Sequence, residues 1–184
     1  MATVSKQLIT AEEFARMPDP PDGSQQELVR GEIVTMPPPG GLHGACCPKI
    51  DRRLGNFIEG NNLGTVFAND TGFIIERNPD TVRGPDISLW SRERLPEVPE
   101  GYIEIPPDLA VEVISPRDHY SRIQNKVRHH LNHGVRLLWV VDPQDRSVTV
   151  YHPSRQATIL EENETITGED VLPGFSCRVA DLLP

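Results

Sequence analysis

Apolar positions along the chain keep two rhythms, and the places where one gives way to the other divide it into elements. Thr10 to Met17 opens with a capping residue and acids in its first turn, which predicts a short helix stopped by Pro18. Gln26 to Met36 predicts a hairpin, two short β runs around Arg30-Gly31. From His43 to Gly60 the period becomes helical, with Ile50, Leu54, Phe57 and Ile58 three and four residues apart. Thr65 to Ala68 and Gly72 to Arg77 predict two strands with a turn at Asn69-Asp70, followed by a loop over Asn78 to Gly84. Ile87 to Trp90 and Leu109 to Ile114 predict further strands, joined by an irregular, Pro-rich surface crossover over Ser91 to Pro107. Arg117 to Asn132 predicts a helix with Ser115 or Asp118 as its cap and Ile123, Val127 and Leu131 as its apolar stripe. Gly134 stops that helix, and Val135 to Val141 is an apolar run ended by a turn at Asp142-Pro143. Ser147 to Tyr151 predicts its hairpin partner, and Thr158 to Leu160 a weaker edge strand. The strand, helix, strand order at 109 to 141 is a crossover unit within an otherwise antiparallel meander. That combination predicts an α+β domain, a mixed sheet with helices packed on it.

Two acids break the apolar pattern. Leu109 to Ile114 is nearly unbroken aliphatic sequence with one carboxylate, Glu112, in its middle. A buried, ionised carboxylate is several kcal/mol unfavourable without a cation or hydrogen bonds, so Glu112 requires a partner. Asp86 opens the short strand Ile87 to Trp90, directly after a Gly-Pro turn. Strand alternation puts Asp86 and Ser88 on one face and sets Glu112 with Ala110 and Ile114. If the two strands are neighbours with those faces aligned, the acids converge as a hard cation such as magnesium requires.

Length and composition narrow the reading. The 184 residues suffice for one domain with a real core, and 37% hydrophobic with 24% charged residues is a globular balance. No apolar run approaches the roughly 18 residues of a membrane span, and the first residues lack the apolar stretch of an export signal. Cys46, Cys47 and Cys177 form neither a disulfide framework nor a zinc pattern, which fits a reducing cytoplasm. A formal net charge of −9 argues against holding nucleic acid by overall charge, so any nucleic-acid reading needs a local basic surface. His129 and His133 have the i, i+4 spacing of a helical zinc pair, but no Glu follows His129 in an HExxH arrangement and no Cys lies near. The histidines are therefore expected to face solvent or substrate, with His43, after the Gly-Gly loop, facing a cleft. Trp139 is expected in the core.

The ordered set Glu27-Leu-Val-Arg-Gly-Glu32, His43, Pro85-Asp86, Ala110-Val-Glu-Val-Ile-Ser-Pro116, Lys126 and Gly134-Val135 to Trp139-Val-Val-Asp-Pro143 resembles the Uma-two family. The family is a bacterial group described as restriction-endonuclease-like nucleases, and the resemblance runs from about Thr10 to the Pro-Gly-Phe near the end. It implies a single restriction-endonuclease-like domain over residues 1–184. Residues 1–25 would be an N-terminal helix and turn region, and 165–184 a tail packed on the core. It further implies Asp86 and Glu112 as magnesium ligands, with manganese as an alternative ion, and Lys126 as the catalytic lysine. Glu27 would be a further acid of the site. The usual motif has its lysine two residues after the second acid, where this chain has Ile114, so the lysine is shifted onto the helix. Arg122 and His130 stand where members commonly have Asp and Tyr. The function implied is a cytoplasmic, homodimeric, metal-dependent endonuclease acting on DNA. An RNA or small-nucleotide substrate fits equally well, and the competing class is a catalytically silent nuclease-fold scaffold or binding protein.

Overall fold

The computed structural model describes residues 8–116 and 118–184. The export-signal reading of the first residues, and Arg117 as a helix start, lie outside the described residues. Among the described residues the strands form a four-stranded sheet, a six-stranded sheet and a closing hairpin.

The smaller sheet comes first in the chain. Helix α1 (Ala11–Phe14) starts as predicted: the Glu13 N–H donates to Thr10 Oγ1 at 3.1 Å, and the Glu13 carboxylate accepts from the Thr10 N–H at 2.9 Å. Strands β1 (Gln25–Val29) and β2 (Glu32–Met36) form the expected hairpin. Arg30 and Gly31 both take left-handed backbone angles, φ 52° and 76°, which match a two-residue turn to the strand twist. Beyond β1 lie β5 (Thr81–Arg83) and then β4 (Phe73–Glu76), giving the order β2-β1-β5-β4. Strand β5 falls in the stretch predicted to be loop.

The larger sheet holds β3 (Gly64–Ala68), β6 (Ile87–Ser91), β7 (Leu109–Val113), β8 (Leu137–Asp142), β9 (Ser147–Tyr151) and β10 (Ala157–Glu161), in the order β10-β9-β8-β7-β6-β3. Among the described residues of this sheet only β7 and β8 pair in parallel, and α3 (Tyr120–Asn132) connects them. Alternation sends Ile87, Leu89, Val111 and Trp139 toward α2 (Gly41–Gly60), whose Ile50, Leu54 and Ile58 are fully buried. Each such side chain contributes up to about 1.5–3 kcal/mol, enough to fix that face of the helix. The opposite face, with Trp90, Ala110, Leu138 and Val140, receives α3 through Val127. Helix α3 lacks the predicted side-chain cap: His119 is its N-cap and makes no such bond, while Asp118 accepts from the Ser115 N–H at 2.8 Å. The 91–107 crossover is not wholly on the surface, because Ile103 is buried and bridges to Phe73.

Strands β3 and β4 are consecutive but belong to different sheets, with Asn69 and Asp70 both left-handed at the change. The chain crosses back between β5 and β6 through Gly84, where a Cβ would collide with the Asp70 carbonyl. Only glycine permits that approach. The two crossings thus run side by side, carrying Asp70 and Asp86. The tail forms a hairpin, β11 (Thr165–Gly168) with β12 (Leu172–Arg178), that sequence periodicity did not resolve. Its Ile166, Leu172 and Phe175, with Leu182 and Leu183, complete the core on the α2 side.

Candidate active site

Where the two sheets part, a cleft of about 460 Å³ opens, lined by His43, Asp70, Asp86, Glu112, Arg122 and Lys126 together with the Pro37–Gly40 loop. Strands β6 and β7 pair Ile87 with Val111. One step outward on that antiparallel register, Asp86 and Glu112 stand opposite each other, as face alternation predicted.

Each acid is held from two sides. Asp86 Oδ2 accepts from the Val113 N–H at 2.7 Å, and its Oδ1 lies 2.9 Å from His43 Nε2 on the first turn of α2. Glu112 Oε2 accepts from Lys126 Nζ at 2.9 Å, and Oε1 lies 2.9 Å from His130 Nε2. Lys126 and His130 are four apart on α3 and so reach the same carboxylate from successive turns. Glu27, from β1, is nearly fully buried and pairs with the Arg83 guanidinium. Its Oε1 lies 3.5 Å from Lys126 Nζ and makes no hydrogen bond.

Acids outnumber committed cations in this space, and the titration behaviour reflects that. Burial, then the negative charges of Asp86 and Glu112, push Asp70 up to about 7. Burial opposes ionisation of Glu112, but Lys126 and His130 outweigh it and hold its carboxyl below the ordinary range. Burial likewise opposes the Lys126 charge, and Glu112, Glu27 and Asp86 outweigh it, so Lys126 is held above its usual value. The Asp86 hydrogen bond raises His43 against the effect of burial.

All four residues singled out in the sequence, Asp86, Glu112, Lys126 and Glu27, meet in this one region, and His43 faces the cleft as expected. His130 does not face solvent or substrate: it is fully buried, stacked on Phe73 with ring centroids 5.8 Å apart, and spent on Glu112. Sequence reasoning missed Asp70, which looked like a turn residue, and Arg122, whose Nη2 is buried without a hydrogen-bond partner. It did not see His43–Cys47–Asp86 as a group with metal-ligand spacing, and it argued against the His129–His133 pair without seeing that Glu76 joins it. In the first, burial and then Asp86 raise the Cys47 thiol far above its usual range in the metal-free cleft.

The fold is similar to that of the crystal structure of a "putative nuclease belonging to DUF820" from Anabaena variabilis ATCC 29413. The TM-score is 0.79 at 24% sequence identity, covering 95% of this chain and 97% of that one. No curated protein matches the chain. Among the described residues, no helix is long and apolar enough to cross a membrane. Residues 11–180 match the family described as "Uma2: Putative restriction endonuclease", and the chain belongs to that family.

Proposed function

We propose that the cleft hydrolyses phosphodiester bonds in DNA as a metal-dependent endonuclease, with Asp86, Glu112, Lys126 and Glu27 as its working residues. The observation that carries this reading is the meeting of Asp86 and Glu112 at adjacent strand ends with Lys126 Nζ 2.9 Å from Glu112. The donor set fits magnesium, and manganese by the same ligands: carboxylate oxygens predominate, and Glu27 Oε1 is buried without a hydrogen bond. Burial, and then the charges of Asp86 and Glu112, push Asp70 up to about 7, and a divalent cation relieves the second of these. Asp86 and Glu112 would hold the ion, which supplies Lewis-acid polarisation of the phosphate and a more acidic bound water.

The chain's own residues do the rest. Lys126, kept cationic by its acid neighbours, offsets charge developing on the phosphoryl oxygens and is not a proton acceptor in this arrangement. His43 and the Val113 N–H fix the Asp86 carboxylate, and His130 fixes that of Glu112. Arg122 brings an unpaired guanidinium nitrogen to the cleft, a local donor for phosphate in a chain of net charge −9. Cutting both strands calls for two sites, hence a homodimer, which light scattering of the purified protein tests directly.

The decisive experiment is magnesium calorimetry together with plasmid nicking, on the wild type and on Glu112→Gln, with circular dichroism as the folding control. Magnesium binding and nicking that vanish in a folded variant support the nuclease. A second reading, a silent nuclease-fold binding protein, is favoured by Ile114 at the usual lysine position and by Lys126, His130 and His43 already satisfying the acids. Nucleic-acid binding that ignores chelator, with no magnesium uptake by the wild type, selects it.

A further inference from the structure

We infer that Glu76, His129 and His133 form a second cation site, suited to zinc and separate from the carboxylate cleft. Helix α3 presents two adjacent rows. Lys126 and His130 go to Glu112, while His129 and His133 go to Glu76 at the end of β4. The ligand atoms of Glu76, His129 and His133 all lie within 4.8 Å of one another. His129 Nε2 is 3.2 Å from Glu76 Oε2, and His133 Nε2 is 3.1 Å from Glu76 Oε1. A tetrahedron with metal–ligand bonds of about 2.0–2.1 Å has edges of about 3.3 Å. The two imidazole–carboxylate distances stand within a few tenths of an ångström of that spacing, each to its own Glu76 oxygen, and the imidazole–imidazole edge lies within 4.8 Å. Two imidazoles and one carboxylate select borderline transition metals over magnesium.

The surroundings orient these donors. His133 Nδ1 donates to the main-chain oxygen of His129 at 2.7 Å, which fixes the tautomer and leaves the Nε2 lone pair facing Glu76. In the neutral ring two acceptors then oppose each other at 3.1 Å, an arrangement that a cation between them resolves. Thr81 Oγ1 donates to Glu76 Oε2 at 3.2 Å and aims the carboxylate. The side chains of His129, His133 and Glu76 are 19%, 26% and 35% exposed, which leaves a position open to water. His129 is the adjustable member. Its Nδ1 accepts from Arg83 Nε at a long 3.4 Å, and zinc on Nε2 moves the ring proton to Nδ1 and releases that contact. Arg83 remains held by Glu27.

The test uses the full chain stripped of metal, titrated with cobalt(II) for its visible ligand-field absorption and with zinc against a chromophoric chelator. One equivalent is expected to bind in the wild type. His133→Ala and Glu76→Gln should each weaken zinc by ~100-fold or more, and Thr81→Val, which keeps all three ligands, by about 10-fold. Glu112→Gln and Cys47→Ser should leave zinc affinity unchanged, so the outcome is independent of whether the carboxylate cleft is a nuclease. The site is overturned by absence of zinc or cobalt binding. It is equally overturned by binding that survives His133→Ala, or by binding that disappears in Cys47→Ser or Glu112→Gln. Thr81→Val guards against a ligand variant that fails to fold.

Discussion

Strand β7 has an acid at each end, one fully and the other mostly buried, and the two are handled in opposite ways. Asp108, just before the strand, is fully buried and accepts from the Ser91 N–H at 2.8 Å, Arg94 Nη1 at 2.8 Å and Arg136 Nη1 at 2.9 Å. One carboxylate meets two guanidiniums and a main-chain donor. Glu112, near the other end, has a lysine and a histidine, but shares its surroundings with Asp86, Glu27 and Asp70. Both acids sit beside the same aliphatic run, so burial alone does not mark a site. The difference lies in what surrounds them: cations in excess at Asp108, acids in excess beside a cleft at Glu112.

Exchanging one acid at each end breaks this comparison most sharply. Glu112→Gln is expected to lower magnesium-dependent cleavage by about 10³-fold, some 4 kcal/mol of barrier, and to abolish magnesium uptake. Asp108→Asn is expected to do the converse. Magnesium uptake should be unchanged, while stability falls by about 2–3 kcal/mol, below the full value for a broken buried pair because both arginines reach water and rehydrate. For a chain of this size that is roughly 2–4 °C of melting temperature per kcal/mol. An inactive but stable Asp108→Asn protein would erase the distinction between the two ends.

The Asp108 end also predicts a pH response. Burial raises its carboxyl, but the Ser91 N–H, Arg94 and Arg136 outweigh it, so the folded value lies below the ordinary one. A depressed folded value means stability that is fully present above the unfolded carboxyl's pKa and lost as pH falls through the folded one. Urea midpoints should therefore drop as pH falls below about 4, and Asp108→Asn should lack that component. A variant whose acid profile parallels the wild type would show that the three donors are not stabilising the charge.

At the Glu112 end, Lys126→Met separates charge stabilisation from metal holding. Cleavage should fall by about 10²-fold while magnesium affinity stays or rises, because the ammonium no longer competes for Glu112. Loss of magnesium binding in this variant would assign Lys126 a structural task only.

How much of this was legible depends on whether the signal was local. Glu112 stood out because an acid in an aliphatic run contradicts its surroundings, and alternation then placed Asp86 opposite it. Lys126 and Glu27 had no such local mark and rested on the family resemblance. The transfer from β3 to β4 between sheets was invisible, since Asn69-Asp70 reads as any tight turn whether the next strand folds back or leaves the sheet. Asp70 was lost with it. Strand β5 has three residues between Asn-Pro-Asp and Gly-Pro, too few for alternation to show. His130 looked like a polar border residue because nothing local says that the ion it supports lies on a strand inside.

Arg122 is the smallest of these tests and the one most particular to this chain. It lies one helical turn before Lys126, lines the cleft and has a buried Nη2 without a partner. A guanidinium at the cleft wall brings positive charge and further N–H donors to a bound phosphate. Arg122→Ala should therefore weaken DNA affinity by about 10-fold, ~1.4 kcal/mol, with the single-turnover cleavage rate nearly unchanged. The salt dependence of binding should also become shallower by about one phosphate contact. The converse pattern, an unchanged affinity and a slower chemical step, would move Arg122 from substrate holding to the reacting phosphate itself.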